Sequence, residues 1–210
     1  MRARKLDTLK RKGQIARAAL DLLGRDGLES LSIAAVAEKV GIVPSAVYRH
    51  FASKDAILDA ILDLLNTFFK DIVTDSRNQY PDPLGRLCEI IRRHAKFLTE
   101  NQGLPAIVAA EIIFGEQPKR KARFHKVFTA YLEDIETIIR EGQAGGLIRP
   151  DVSPRAASLL LLGIDAPAAA LWKASDGAYD MLAHVEEALP IYLAGISVRP
   201  QTDGSKGSSS

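Results

Sequence analysis

The most chemically expressive short stretch of the chain is Ser45-Ala46-Val47-Tyr48-Arg49-His50, followed closely by Lys54. Hydroxyls, a guanidinium, an imidazole and an ammonium are packed into ten positions, with no carboxylate among them. A helix that turns such small and cationic groups outward fits the major groove of a nucleic-acid duplex without steric conflict. Other chemistries lack their parts. His50, His94, His125 and His184 show no close metal-ligand spacing, and Cys88 stands alone on an apolar helical face, as a core residue would. No phosphate-binding glycine loop, H-E-x-x-H or serine-nucleophile motif occurs. The expectation is therefore no enzyme, no metal and no cofactor.

The elements that must hold these residues read as helices. Ser32 suits an N-cap, and Ile33, Val36, Ala37 and Val40 then recur at helical spacing up to Gly41, a stop in the left-handed conformation. Pro44 suits the first position of a second short helix, with Val43, Val47 and Phe51 along one face. Two short helices joined by a tight glycine turn form a helix-turn-helix, which leaves Ser45, Ala46, Arg49 and His50 outward. Upstream, a helix is expected over Asp7–Arg25. Downstream, Ser53 should cap a longer helix, with Asp55 in its first turn and Ile57, Ile61, Leu64, Phe68 and Ile72 inside.

Beyond a break at Asn78–Leu84, helices are expected near Leu84–Thr99, Pro105–Phe114, Lys119–Gln143, Pro154–Ala174 and Ala178–Ile196. No period-two alternation is sustained, so the fold class is all-α: a three-helix head before a larger helical body. The segments expected are 8–68 for the head, with the helix-turn-helix at about 32–51, then 69–197 for the body and 198–210 for a disordered, low-complexity tail.

Charge divides along the same line. The whole chain carries +2, yet residues 1–54 hold 11 Lys and Arg against 5 Asp and Glu. A basic head on a mildly acidic body is what a polyanion-binding end requires. Arg2-Ala-Arg-Lys and Lys10-Arg-Lys either reach the duplex or are a frayed, solubilising end. A single cysteine fits a reducing compartment, and no signal peptide is visible, so the expected location is the cytoplasm. The apolar run Ala156–Trp172, interrupted by Ser158, Asp165 and Pro167, reads as too short and too polar to span a membrane.

Leu31 to Leu58, LSIAAVAEKVGIVPSAVYRHFASKDAIL, closely resembles the DNA-binding domain of the tetracycline-repressor (TetR) family. The resemblance covers roughly the first 65 residues, including the preceding Ala18–Ala19…Gly27 helix. It implies that Tyr48, His50 and Lys54 bind phosphates of double-stranded DNA, with Ser32 a further backbone contact. Ser45, Ala46 and Arg49 lie nearest the base edges, on the helix that Pro44 begins. Val43, Pro44 and Ala46 are apolar where the family tends to be polar. Few side-chain bonds to bases are then available, so DNA shape and a palindromic operator should carry much of the specificity.

The family plan further implies a homodimer through the last two helices and an unknown small-molecule effector held by the middle ones. The candidate effector contacts are His94, Phe97, Glu111, Phe114, His125, Phe128 and Tyr131. Asp165, in the most apolar helix, needs a partner: it points into a ligand cavity, crosses a subunit interface or lies at an edge. The leading expectation is a repressor released from DNA by its effector. The alternatives are a helical ligand-binding protein or enzyme with a vestigial head, and a regulator without a small ligand.

Overall fold

The structure is a computed structural model that describes residues 2–27, 30–101 and 117–198, with backbone alone at 2–7, 9, 25 and 26. Its described helices are α1 (Arg2–Asp26), α2 (Ile33–Val40), α3 (Pro44–Tyr48), α4 (Lys54–Gln79), α5 (Pro83–Glu100), α6 (Pro118–Ala144), α7 (Pro154–Gly163), α8 (Asp165–Ala174) and α9 (Met181–Ile196). Among the described residues the extended pairing is one antiparallel bridge, Ile148 to Ser197. The expected helix Pro105–Phe114 and the tail from Arg199 lie outside the described residues.

Local chemistry sets the head. Ser32 Oγ accepts from Ala35 N at 3.1 Å and caps α2. Gly41 closes α2 at φ 73°, where the Ile42 N–H reaches back to Ala37 O at 2.9 Å. That left-handed residue is nearly free of cost only for glycine. Pro44 then begins α3. Val36, Ala37, Val47 and Phe51 are buried together with Ile15, Ala19 and Leu23 of α1 and Ile57 and Ile61 of α4. The apolar sides of α2 and α3 are thus consumed in holding them against α1 and α4.

α4, capped by Ser53 Oγ on Ala56 N at 3.2 Å, runs on from the head into the body. There Leu65, Phe69, Ile72 and Val73 join Ile90 and Ile91 of α5 and Ile135, Ile138 and Ile139 of α6 in one continuous core. Glu141 of α6 closes the far end of this packing by accepting from Arg77 at 2.8 Å and Arg86 at 2.7 Å.

Several boundaries differ from expectation. α1 starts at Arg2 rather than Asp7, and α9 starts at Met181, capped by Asp180, rather than at Ala178. Leu64 and Phe68 are half-buried, because the inner stripe of α4 runs through Leu65 and Phe69 instead. Pro154–Ala174 is two helices, α7 and α8, parting at Ile164. Pro167 has no N–H to give the Gly163 carbonyl, and Ile164 N bonds Leu161 O at 3.2 Å in a tighter turn. By length and composition this 21-residue stretch would reach across a membrane, contrary to the sequence reading of it as too short. It is nonetheless broken midway and carries Asp165 in the protein core.

Candidate nucleic-acid interface

α3 sorts its residues sharply. Val47 faces inward at 0% exposure, while Pro44, Ser45, Tyr48 and Arg49 are exposed and Ala46 and His50 are half-buried. Val43, expected on the apolar face with Val47 and Phe51, is instead 61% exposed because it caps α3 from outside the helix, and Tyr48 is 57% exposed. A helix offering small residues flanked by Tyr and Arg can enter a major groove without steric conflict.

Around this face the cations are arranged in depth. Lys12 of α1 lies 5.5 Å over the ring of Phe51, which fixes an ammonium near the end of α3. His50 has its Nδ1 enclosed without a hydrogen-bond partner. Burial first, then the charges of Lys12, Arg11 and Arg49, hold its imidazole below the ordinary value of 6.5. Ser32 Oγ accepts from the cap and keeps its hydroxyl hydrogen to donate to a phosphate oxygen.

Lys54, half-buried, opens α4. The acids that follow it do not oppose it freely. Arg120 of α6, 8% exposed, reaches Asp55 at 2.6 Å and Asp59 at 3.7 Å. Arg123 reaches Asp59 at 3.8 Å and also pairs with Asp63. The body thus clasps the first turns of the helix that holds the reading head. The sequence reading missed this clasp: Asp55, Asp59 and Asp63 are visible at i+4 steps, but their partners come from a remote helix.

Of the expected effector contacts, His94 of α5, Tyr131 of α6 and Asp165 of α8 come together inside the body. His94 Nδ1 lies 2.8 Å from Asp165 Oδ2. Phe97 stacks on Phe68 with ring centres 3.7 Å apart, and Phe69 stacks on Tyr131 at 4.1 Å. Phe68 and Phe69, not foreseen as site residues, therefore wall this cluster. Phe128 is packed beside Phe124 at 5.7 Å on the flank of the core, and His125 is exposed on the surface. Glu111 and Phe114 lie outside the described residues.

Cys88 packs against the core, and burial raises its thiol. His184 is held between Tyr179 Oη at 3.0 Å and Ile164 O at 3.1 Å. No group of three or more potential metal ligands occurs among the described residues.

Known proteins share both halves of this architecture. The profile described as "Bacterial regulatory proteins, tetR family" matches residues 15–61, and that described as "YsiA-like protein, C-terminal region" matches residues 60–195. The fatty acid metabolism regulator protein of Bacillus subtilis is 21% identical over 183 residues, spanning 87% of this chain and 94% of that protein. The nucleoid occlusion factor SlmA of Alteromonas mediterranea is 28% identical over 131 residues, 62% of this chain and 67% of its own length. Among solved structures, FadR from Bacillus subtilis in complex with stearoyl-CoA superposes with a TM-score of 0.72 at 21% identity, covering 87% of this chain and 98% of that one. FadR from Bacillus halodurans gives 0.74 at 21% identity, covering 88% and 95%. At these identities the structural likeness speaks for the fold. The second profile alone matches more than half of the sequence, and the chain belongs to the TetR family of DNA-binding transcriptional regulators.

Proposed function

We propose that this regulator is a cytoplasmic homodimeric repressor that leaves a palindromic operator when a small, largely apolar molecule occupies its body. The observation that carries the DNA half is the outward set Ser45, Tyr48 and Arg49 on α3, backed by a helix consumed in packing. In this reading Arg49, Ser45, Ala46 and Pro44 meet base edges, and Tyr48, His50, Lys54 and Ser32 meet phosphates. Residues 8–68 form the head and 69–197 the effector-binding and dimerising body. His94, Phe97 and Asp165, joined by Tyr131, mark the effector site, with Phe128 at its flank.

Relatives support the effector class: a structure of FadR from Bacillus subtilis holds stearoyl-CoA. Two contacts support coupling between body and head. Arg120 and Arg123 grip the start of α4 from α6, and Lys173 Nζ at the end of α8 donates to Gly24 O of α1. An effector that binds the non-operator arrangement better shifts the population away from DNA. An enzyme with a vestigial head is not favoured, since the relatives are regulators.

Capture and sequencing of genomic fragments supplies the operator, and gel-shift titration at several salt concentrations then tests the contacts. Lys54→Ala should lower the slope of log affinity against log salt by about one, the signature of one lost phosphate contact. Arg49→Ala should narrow the gap between operator and random DNA by about 1–3 kcal/mol. Wild-type affinity and slope in both variants would overturn the assignment.

A further inference from the structure

Buried polar groups in native proteins nearly always find partners, and each exception asks for an explanation. Three helices bring such exceptions to one place. Asp165 at the start of α8 is 1% exposed, and Tyr131 of α6 is also 1% exposed. Neither carboxylate oxygen of Asp165 nor the hydroxyl of Tyr131 makes a hydrogen bond. His94 Nδ1 lies 2.8 Å from Asp165 Oδ2 as an ion-pair contact, which leaves Asp165 Oδ1 and the Tyr131 hydroxyl with no partner at all. The aromatic neighbours among the described residues add no hydrogen bond: Phe69 meets His94 edge-on at 5.8 Å and stacks on Tyr131, while Phe68 lies 6.4 Å from His94.

We propose that Asp165, Tyr131 and His94 are the polar end of the effector site, and that the effector is an apolar molecule bearing a hydrogen-bond-donating hydroxyl or amino group there, not a carboxylate or phosphate. This rests on the reading that the body holds an effector, and it names that effector's chemistry. An ionised carboxylate only accepts hydrogen bonds, so Asp165 is completed by a donor. A second anion brought beside it in a poorly solvated interior is strongly repelled. Burial first, and then the charge of Asp165, holds the Tyr131 phenol in its protonated form, so it offers a donor to the oxygen or nitrogen of the same ligand. A plain hydrocarbon tail would leave Asp165 Oδ1 and the Tyr131 hydroxyl unsatisfied.

The competing account is a structural one, in which His94 and Asp165 merely tie α5 to α8. The two differ in what removal of the charge does. If Asp165 waits for a ligand, Asp165→Asn and Asp165→Leu remove a buried carboxylate left short of hydrogen-bond donors, and the ligand-free protein should melt no lower than wild type. If the pair is structural, both variants should melt lower.

The test uses the full chain with 1-decanol, decylamine and decanoate, each below its solubility or micelle-forming limit. Binding is titrated directly by calorimetry, and operator release is read in parallel. Wild type should bind decanol or decylamine at least about tenfold tighter than decanoate, the scale of one hydrogen bond to a charged group. Decanol ahead of decylamine would identify a neutral donor, and the reverse order a cationic one. Tyr131→Phe should weaken the preferred probe, and Asp165→Asn should erase the preference. Equal or tighter binding of decanoate, no binding of any probe, or a lower melting temperature in both Asp165 variants would overturn the proposal. Direct binding of decanol by a protein that holds no operator would support this inference while refuting the regulator reading on which DNA release depends.

Discussion

His50 holds the most conditional charge on the reading head. In the DNA-free protein its imidazole is kept below 6.5, chiefly by burial and then by Lys12, Arg11 and Arg49. Phosphate oxygens would bring negative charge to the same ring and favour the imidazolium, raising its value in the complex above that in the free protein. The complex then binds more protons than its parts. Operator affinity should rise as pH falls through the interval between the two values, and be lost again as pH rises through the upper one. Titrations between about pH 5.5 and pH 8 at constant ionic strength should show this gain in wild type and a flatter profile in His50→Gln. Identical profiles would remove His50 from the phosphate contacts. Residues of this kind were readable in advance because they are neighbours on one short helix: the spacing that buries Val47 and Phe51 leaves Arg49 outward. His94 and Asp165 were visible as polar residues on apolar helices, but only the packing of α5 against α8 makes them one cluster.

At the scale of elements, the turn between α2 and α3 is where sequence and structure agree most closely, since local rules suffice there. Ser32, Gly41 and Pro44 each act through their own backbone, as cap, left-handed stop and first helical residue. Gly41 at φ 73° has no heavy atom within 4 Å of where a Cβ would stand, so Gly41→Ala meets no clash and costs only the conformation. That strain is about 1–2 kcal/mol, visible as a lower urea midpoint with unchanged slope. Gly41→Asn should cost less, because Asn tolerates left-handed geometry. Equal stability of Gly41→Ala and wild type would mean that the turn relaxes into another form. The parting of α7 from α8 was harder to read. Pro167 announces a lost hydrogen bond, but whether a helix bends or separates there depends on what its two halves pack against. The clasp of Arg120 and Arg123 on Asp55, Asp59 and Asp63 belongs to the same class, since nothing local to α4 selects its partners.

For the molecule as a whole, the decisive surface is the one its own core leaves open. On α7 and α9, Leu160 is 65% exposed, Ile191 76%, and Leu159 and Leu182 46% each. Leu160 and Ile191 share a shallow apolar groove with Ala156, Ile164 and Gly195. Contiguous apolar exposure of this kind marks an association surface in a soluble protein. In the proposed dimer a second copy covers this groove, and the paired reading heads then reach half-sites about 34–36 Å apart. Linking two weak half-site contacts in this way multiplies affinity by about 10²–10⁴ without any new contact to DNA. The double variant Leu160→Lys and Ile191→Lys places like charges on both sides of such a contact. It should sediment as a monomer, keep its helical circular dichroism, and lose operator affinity by about that factor. Binding to an isolated half-site should stay near the wild-type value, because the head is untouched. A variant that remains dimeric, or a monomer that grips the full operator as tightly as wild type, would sink the paired arrangement and leave the groove to some other partner.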